Sequence, residues 1–312
     1  MKNTLLDAIG NTPLVQLQKV VPNGAARVVA KLESTNPTGS MKDRMAKAAI
    51  ERAAADGRLQ PGGTVVEYTA GTTGISLALV CAAKGYALEV VFSDAFSEEK
   101  LRTMQAFGAH INLVPSDNKK ITAELIKAMI SAADQISLRP GHWYCDQLNN
   151  HDAIEGYLPL GEELWQQAGG QIDAFVQSVG TAHSIHGAMR ALSKHSDTIL
   201  CIAVEPAESA VLSGQASGSH QIEGIGIGFM PPLWQPELVD EVLTVTTAEA
   251  KEMTRRLARE EGIFAGTSSG ANVVAAIRIA RRLSPGATVA TLIVDSGLRY
   301  LSTDVYNSKP GT

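Results

Sequence analysis

Paired cysteines, one-sided charge and long apolar runs are all missing from these 312 residues, and each absence removes a class of function. The three cysteines, Cys81, Cys145 and Cys201, stand far apart and form no C-x-x-C pair. That favours buried thiols over a disulfide framework or a metal site. Lys and Arg total 27 against 32 Asp and Glu, a net charge of −5 with no basic block. Nucleic acid and anionic membranes are therefore not expected as partners. The opening "MKNTLLDAIGNTPLVQL" lacks the apolar stretch of a signal peptide, and no later segment reads as a membrane span, so a cytoplasmic protein is expected. No short-period repeat or low-complexity segment occurs. What is present is ordinary globular material, 45% hydrophobic, in a chain long enough for two lobes or one large α/β unit.

The order of elements is legible in places. From Gly62, "GGTVVEYT", "AGTTG", "ISLALVCAAKG" and "ALEVVFSD" read as strand, small-residue loop, apolar helix with a glycine stop, and strand. The pattern returns at Ile172, where "IDAFVQSV" passes through "GTAHS" into "IHGAMRALSKH" and "TILCIAVEP". Between these βαβ units "SEEKLRTMQAFGAHINLVP" gives a helix and a strand. Later, "TAEAKEMTRRLAREEGI" and "SGANVVAAIRIARRLSPGA" predict helices before a last strand, "TVATLIVDSG". Such alternation predicts an α/β fold of mainly parallel sheets covered by helices. The glycine-rich "SGQASGSHQIEGIGIGFMPPLW" is the one long irregular stretch, and a binding loop is its natural use. Its "GIGIG" is no dinucleotide fingerprint, because neither a strand before it nor a helix after it is predicted.

Three loops of Gly, Ser and Thr precede helices: Thr69–Gly74, Gly180–Ser184 and Ala265–Ala271. Each offers unpaired amides at the positive end of a helix, which suits phosphate or carboxylate, although capping alone explains any one of them. Lys42 is placed oddly, in "NPTGSMKDRMAKAAIERAAADG", where the helix dipole opposes a cation. The dipole, together with Arg44 and Lys47, is expected to lower its pKa and leave a nucleophilic amine. In a chain with anion-binding loops, such an amine points to a Schiff base with pyridoxal phosphate.

The set "IGNTPLVQL", "NPTGSMKDR", "GTTG", "DQLNN", "VEPAESAVLSG", "EGIGIGF", "EGIFAGTSSGA" and "DSGLRYLST" resembles, in order and spacing, the cysteine synthase and cystathionine β-synthase family. These are fold type II pyridoxal-phosphate enzymes with the tryptophan synthase β-subunit fold. The resemblance implies two lobes: residues 1–36 with 147–312 as the larger, phosphate-anchoring domain, and 37–146 as a smaller mobile domain carrying the lysine and substrate loop. It implies that Lys42 is the Schiff-base lysine and α-proton base. Gly180, Thr181, Ala182, His183 and Ser184 would be the phosphate cradle, and Ser268 would face the pyridine nitrogen. Thr69, Ala70, Gly71, Thr72, Thr73, Gln147 and Gly224 would meet the substrate, with Thr72 also beside the cofactor; no metal is implied. The implied reaction is β-replacement on an activated L-serine, O-acetyl-L-serine plus sulfide giving L-cysteine through an aminoacrylate. A homodimer and a serine acetyltransferase are the partners the resemblance implies.

The chain departs from that family where it carries Ala70 and Thr72 in place of the usual Ser and Asn of the substrate loop, and Ala182 and His183 where two glycines are common. Thr72 is shorter than Asn with one donor, a change that bears on substrate choice. Ala182 is expected to cost roughly 1 kcal/mol if its position requires positive φ. His183 either adds a donor near the phosphate or merely fits. The alternatives left open are a cystathionine β-synthase, a cyanoalanine synthase, a desulfhydrase, a diaminopropionate-type synthase and a non-catalytic regulatory paralogue.

Overall fold

The computed structural model describes residues 3–118 and 122–306. Its strands are β1 (Leu14–Gln16), β2 (Arg27–Leu32), β3 (Thr64–Tyr68), β4 (Ala87–Ser93), β5 (His110–Val114), β6 (His142–Tyr144), β7 (Ala174–Ser178), β8 (Leu200–Pro206), β9 (Glu241–Val245) and β10 (Thr288–Ile293). Its α-helices are α1 (Lys42–Ala55), α2 (Thr72–Lys84), α3 (Glu98–Ala106), α4 (Ala123–Ser137), α5 (Asp152–Glu155), α6 (Leu158–Gln167), α7 (His183–Leu192), α8 (Thr247–Arg256) and α9 (Thr267–Ala280). Every α/β element expected from the sequence is present, and 213–234 has no helix or strand.

The chain divides into two compact units, 1–9 with 42–156 and 10–41 with 157–312. In the first, a four-stranded parallel sheet runs β5-β4-β3-β6. Val65, Val90, Leu77, Val80, Ala49 and Ile50 fill its core with almost no exposure. The glycine stop of α2 is Gly85, left-handed at φ 78°, whose N–H reaches the Cys81 carbonyl. In the second unit, six strands run β1-β2-β10-β7-β8-β9, all parallel except β1 on the edge. Strands β7 and β10 are buried at every residue, as a sheet covered on both faces requires.

The edges of the units differ from the sequence-based boundaries. Residues 1–9 join the lysine-bearing unit because Leu6 packs in its core, and Lys47 Nζ donates to the Leu6 carbonyl. Residues 147–156 join it as well, since α5 packs on α1 and Gly156 lies against the Arg44 carbonyl. Residues 37–41 belong to the other unit, where Met41 N–H donates to the Val294 carbonyl and Ser40 bridges Asp295. A second difference lies in α8, expected to continue to Ile263: it passes into a π-turn at Leu257–Glu261 and stops at Gly262, φ 70°.

Both sheets change direction at one strand. In the smaller sheet the chain leaves β3 toward β4 on one side, while β6 pairs on the other. In the larger, β8 lies on one side of β7 and β10 on the other. Open α/β sheets bind ligands outside the carboxyl ends of strands at such reversals.

Candidate active site

The predicted site residues fall into two sets, one in each unit. Lys42, Thr69, Ala70, Gly71, Thr72, Thr73 and Gln147 are in the smaller-sheet unit. Gly180, Thr181, Ala182, His183, Ser184, Gly224 and Ser268 are in the other.

Lys42 is the first residue of α1, as its odd placement in the sequence suggested. Its amine is lowered from the ordinary lysine value to about 8, but the cause is not the one expected from the helix end and from Arg44 and Lys47. Desolvation lowers it, and the neighbouring charge that counts is Glu67, which pulls the other way. Glu67 is fully buried near the end of β3, and burial pushes its carboxyl up to about 8, with Asp146 raising it further. Its oxygens accept the N–H of Tyr68 at 3.0 Å and that of Gln147 at 2.9 Å. Glu67 is thus the neighbouring charge that holds the Lys42 amine above the value burial alone would give it. Sequence reading passed over Glu67, although a lone carboxylate inside "TVVEY" is the kind of charge that a strand core does not accept without a reason.

The loop between β3 and α2 is wound around Thr69, whose Oγ1 accepts the N–H of Gly71 at 2.9 Å and of Gly74 at 3.3 Å. Gly71 caps α2 at φ 133°, a region open to glycine. Thr72 and Thr73 begin the helix, where first-turn amides have no acceptor four residues back. Ala70 is exposed. Thr73 Oγ1 donates to Gln147 Oε1 at 2.8 Å, and Gln147 Nε2 donates to the Tyr68 carbonyl at 2.9 Å. Those bonds span the β3–β6 reversal and bring five of the predicted residues, Thr69, Gly71, Thr72, Thr73 and Gln147, to one place. They also show Gln147 bracing the loop with its own side chain. From α3, the stem of Lys100 lies across Gly71 and Met104 lies against Gly74.

In the other unit the loop after β7 turns through Ala182 at φ 68°, the left-handed conformation that glycine would take without strain. His183 follows as the first residue of α7, buried, with Nδ1 2.9 Å from Thr181 Oγ1. Gln177 Nε2 donates to Ser184 Oγ at 3.0 Å. Gly180 is pressed against Gly224: a Cβ there would fall well inside contact distance of the Gly224 carbonyl oxygen. Gly226 N–H fixes that approach by donating to the Val179 carbonyl at 3.1 Å. Ser268 is buried in the first turn of α9. Asn272, one turn on, accepts the Ser178 N–H at 2.7 Å and donates to Gln177 Oε1 at 2.8 Å, so the start of α9 is tied to the end of β7. The loop Gly180–Ser184, Gly224 and Ser268 therefore share one end of the sheet. His186 is fully buried and held down to about 4 by desolvation and Arg190; its Nε2 accepts the Gln235 N–H, a role in packing.

Among the described residues no group of three or more His, Cys, Asp or Glu is placed to hold a metal ion, and no helix is long and apolar enough to cross a membrane. Comparison with known proteins agrees with the geometry. The family model described as "Pyridoxal-phosphate dependent enzyme" matches residues 5–295. A cysteine synthase of Staphylococcus aureus is 42% identical over 98% of this chain and 97% of its own. The crystal structure of cysteine synthase from Entamoeba histolytica superposes with a TM-score of 0.92 at 35% identity, over 100% of this chain and 93% of that one. An O-ureido-L-serine synthase structure gives the same TM-score, 0.92, at 35% identity, over 100% of this chain and 98% of that one. With a desolvated lysine at a helix start, Gly- and Thr-rich loops at two sheet reversals and this likeness over its length, the chain belongs to the pyridoxal-phosphate dependent enzymes.

Proposed function

We propose that the chain catalyses β-replacement on O-acetyl-L-serine with sulfide, giving L-cysteine and acetate. The observation that carries this reading is Lys42, an amine brought within reach of neutrality by burial at the start of α1, in the same unit as the Gly- and Thr-rich loop Thr69–Gly74. The residues fit the cofactor. Gly180, Thr181, Ala182, His183 and Ser184 offer a glycine-lined turn and the N-terminus of a ten-residue helix to its phosphate. Ser268 offers a hydroxyl to the pyridine nitrogen, which a serine cannot keep protonated as a carboxylate would. When bound, pyridoxal phosphate supplies an aldehyde that condenses with an amine and a ring that draws electron density from the substrate Cα.

The chain's own residues do the rest. Thr69, Ala70, Gly71, Thr72 and Thr73 present amides and hydroxyls to the substrate α-carboxylate, with Gln147 bracing them. Lys42 Nζ, once neutral, takes the proton from Cα and returns one when product leaves; Glu67 sets how readily that amine gives up its charge. Ser268 in place of a carboxylate favours loss of the β-group over transamination. We place the reaction in the cytoplasm and in a homodimer of phosphate-anchoring larger domains and mobile smaller ones; a serine acetyltransferase partner rests on the family resemblance alone.

Purified protein should absorb in the visible, the band should move to longer wavelength with O-acetylserine, and sulfide should restore it as cysteine forms. Lys42→Ala should lose turnover. An unmoved band would end the O-acetylserine reading.

Thr72, at the first position of α2 where the family commonly has Asn, favours a second reading: β-replacement with a different nucleophile, as the likeness to O-ureido-L-serine synthase allows. Product analysis with several nucleophiles separates the two.

A further inference from the structure

We propose that His220 is a positioning residue for the phosphate of the cofactor: its ring clasps the turn 222–226, and that turn holds the entry to the loop 180–184. The inference rests on the phosphate-binding role proposed for that loop.

The irregular stretch 213–234 carries Gly224, Gly226 and Gly228 at positive φ of 85°, 59° and 86°, a backbone with little order of its own. Two contacts join it to the end of β7. Gly226 N–H donates to the Val179 carbonyl at 3.1 Å, and the Gly224 carbonyl oxygen lies against Gly180. The turn is fixed at its start by α8, where Thr247 Oγ1 accepts the Gln221 N–H at 3.1 Å. His220 closes it. Ile222 N–H donates to His220 Nδ1 at 3.3 Å, and Nε2 lies 2.9 Å from the Gly226 carbonyl oxygen. A carbonyl only accepts, so Nε2 carries the hydrogen; Nδ1 receives an N–H and carries none. Two backbone groups of the turn therefore select the Nε2–H tautomer. The same ring covers Gly226: a Cβ there would meet Nε2 at 2.8 Å and Pro206 Cγ at 2.6 Å. Bonded through its carbonyl to His220 and through its N–H to Val179, Gly226 passes the position of the ring to the residue before Gly180. A turn without that clasp would have to be ordered when phosphate binds, and the cost would appear as lost affinity.

The test titrates apoprotein with pyridoxal phosphate and with pyridoxal, which lacks the phosphate, both read in the visible. Wild type should bind the phosphate ester more tightly. His220→Phe keeps a planar ring and removes both hydrogen bonds; it should weaken binding of pyridoxal phosphate roughly 3- to 10-fold, the worth of one hydrogen bond, and leave pyridoxal unchanged. Two amide side chains separate the bonds. His220→Gln keeps a donor near the position of Nε2 and should restore affinity, whereas His220→Asn keeps an acceptor near the position of Nδ1 alone and should not. In nitrogen NMR of histidine-labelled protein, the signal lost on substitution should be that of an Nε2–H ring. Equal weakening of both ligands in His220→Phe, as a purely structural role would give, or an Nδ1–H ring overturns the proposal. Should His220→Phe fail to fold, His220→Gln and His220→Asn carry the comparison, and equal affinity of the two for pyridoxal phosphate overturns it. A wild type that binds pyridoxal phosphate no more tightly than pyridoxal overturns the phosphate-binding reading of the loop and the proposal with it, whereas a phosphate preference that survives intact in His220→Phe overturns the proposal alone.

Discussion

Replacing Gly180 by alanine isolates a single steric contact. Gly180 does not have a positive φ, so the backbone itself accepts alanine. What does not accept it is the Gly224 carbonyl oxygen, which the new methyl would meet well under ordinary contact distance. Relief requires that carbonyl to retreat by about 1 Å. It cannot retreat alone, because Gly226 N–H is bonded to the Val179 carbonyl beside it. Forcing one methyl into such a contact costs about 1–3 kcal/mol. If the loop is the phosphate cradle, that cost appears in the bound form, and cofactor affinity falls about 5- to 150-fold at 1.4 kcal/mol per decade. The assay is titration of apoprotein with pyridoxal phosphate, read in the visible. Gly286→Ala is the control, since a Cβ there meets nothing within 4 Å and φ is again not positive. Wild-type affinity in Gly180→Ala would refute the packing argument; a lowered unfolding midpoint with unchanged affinity would refute the cradle.

The amine of Lys42 at about 8, against an ordinary 10.5, predicts that capture of cofactor by apoprotein accelerates as pH rises through 8 and then levels. The same depression makes the unfolded chain bind more protons between those values, so its penalty on apoprotein stability, full below about pH 8, is relieved as pH rises toward 10.5. Denaturant midpoints across that range check the sign. Because Glu67 raises the Lys42 value, Glu67→Gln should move the capture profile to lower pH, and an unmoved midpoint would mean that Glu67 does not act on the amine. Asn272→Ala deletes bonds to Ser178 N–H, Gln177 Oε1 and the Leu292 carbonyl, and should destabilise by about 2–4 kcal/mol in urea unfolding. A loss under about 0.5 kcal/mol would mean that α9 does not depend on that tie.

The βαβ units were legible because buried parallel strands are written as runs such as "TVVEY" and "ILCIAVEP", with glycine marking where helices stop. Edge elements were not: β1, β6 and β9 are short, half-exposed in places and lack alternation strong enough to stand out. The π-turn after α8 is invisible to a periodicity argument, since its five residues continue the helical pattern. At the site, loop composition located the Gly- and Thr-rich turns before α2 and α7, and Lys42 was found by its unfavourable charge. The reason for its low pKa was misjudged because burial is a tertiary property. Lys100 and Asn272 sit on helices whose local sequence says nothing of the loops that they hold; Glu67 alone left a trace.

The three thiols carry a consequence for a protein proposed to handle sulfide. Cys81 and Cys201 are pushed up to about 12 by burial, and Cys145 is raised by burial and by Glu67. Thiol–disulfide exchange and alkylation proceed through the thiolate, which these positions suppress. The folded chain should therefore form no mixed disulfides with its own product and resist persulfidation. Iodoacetamide should leave it unmodified until it unfolds, so that the same three cysteines report on unfolding without any engineered label.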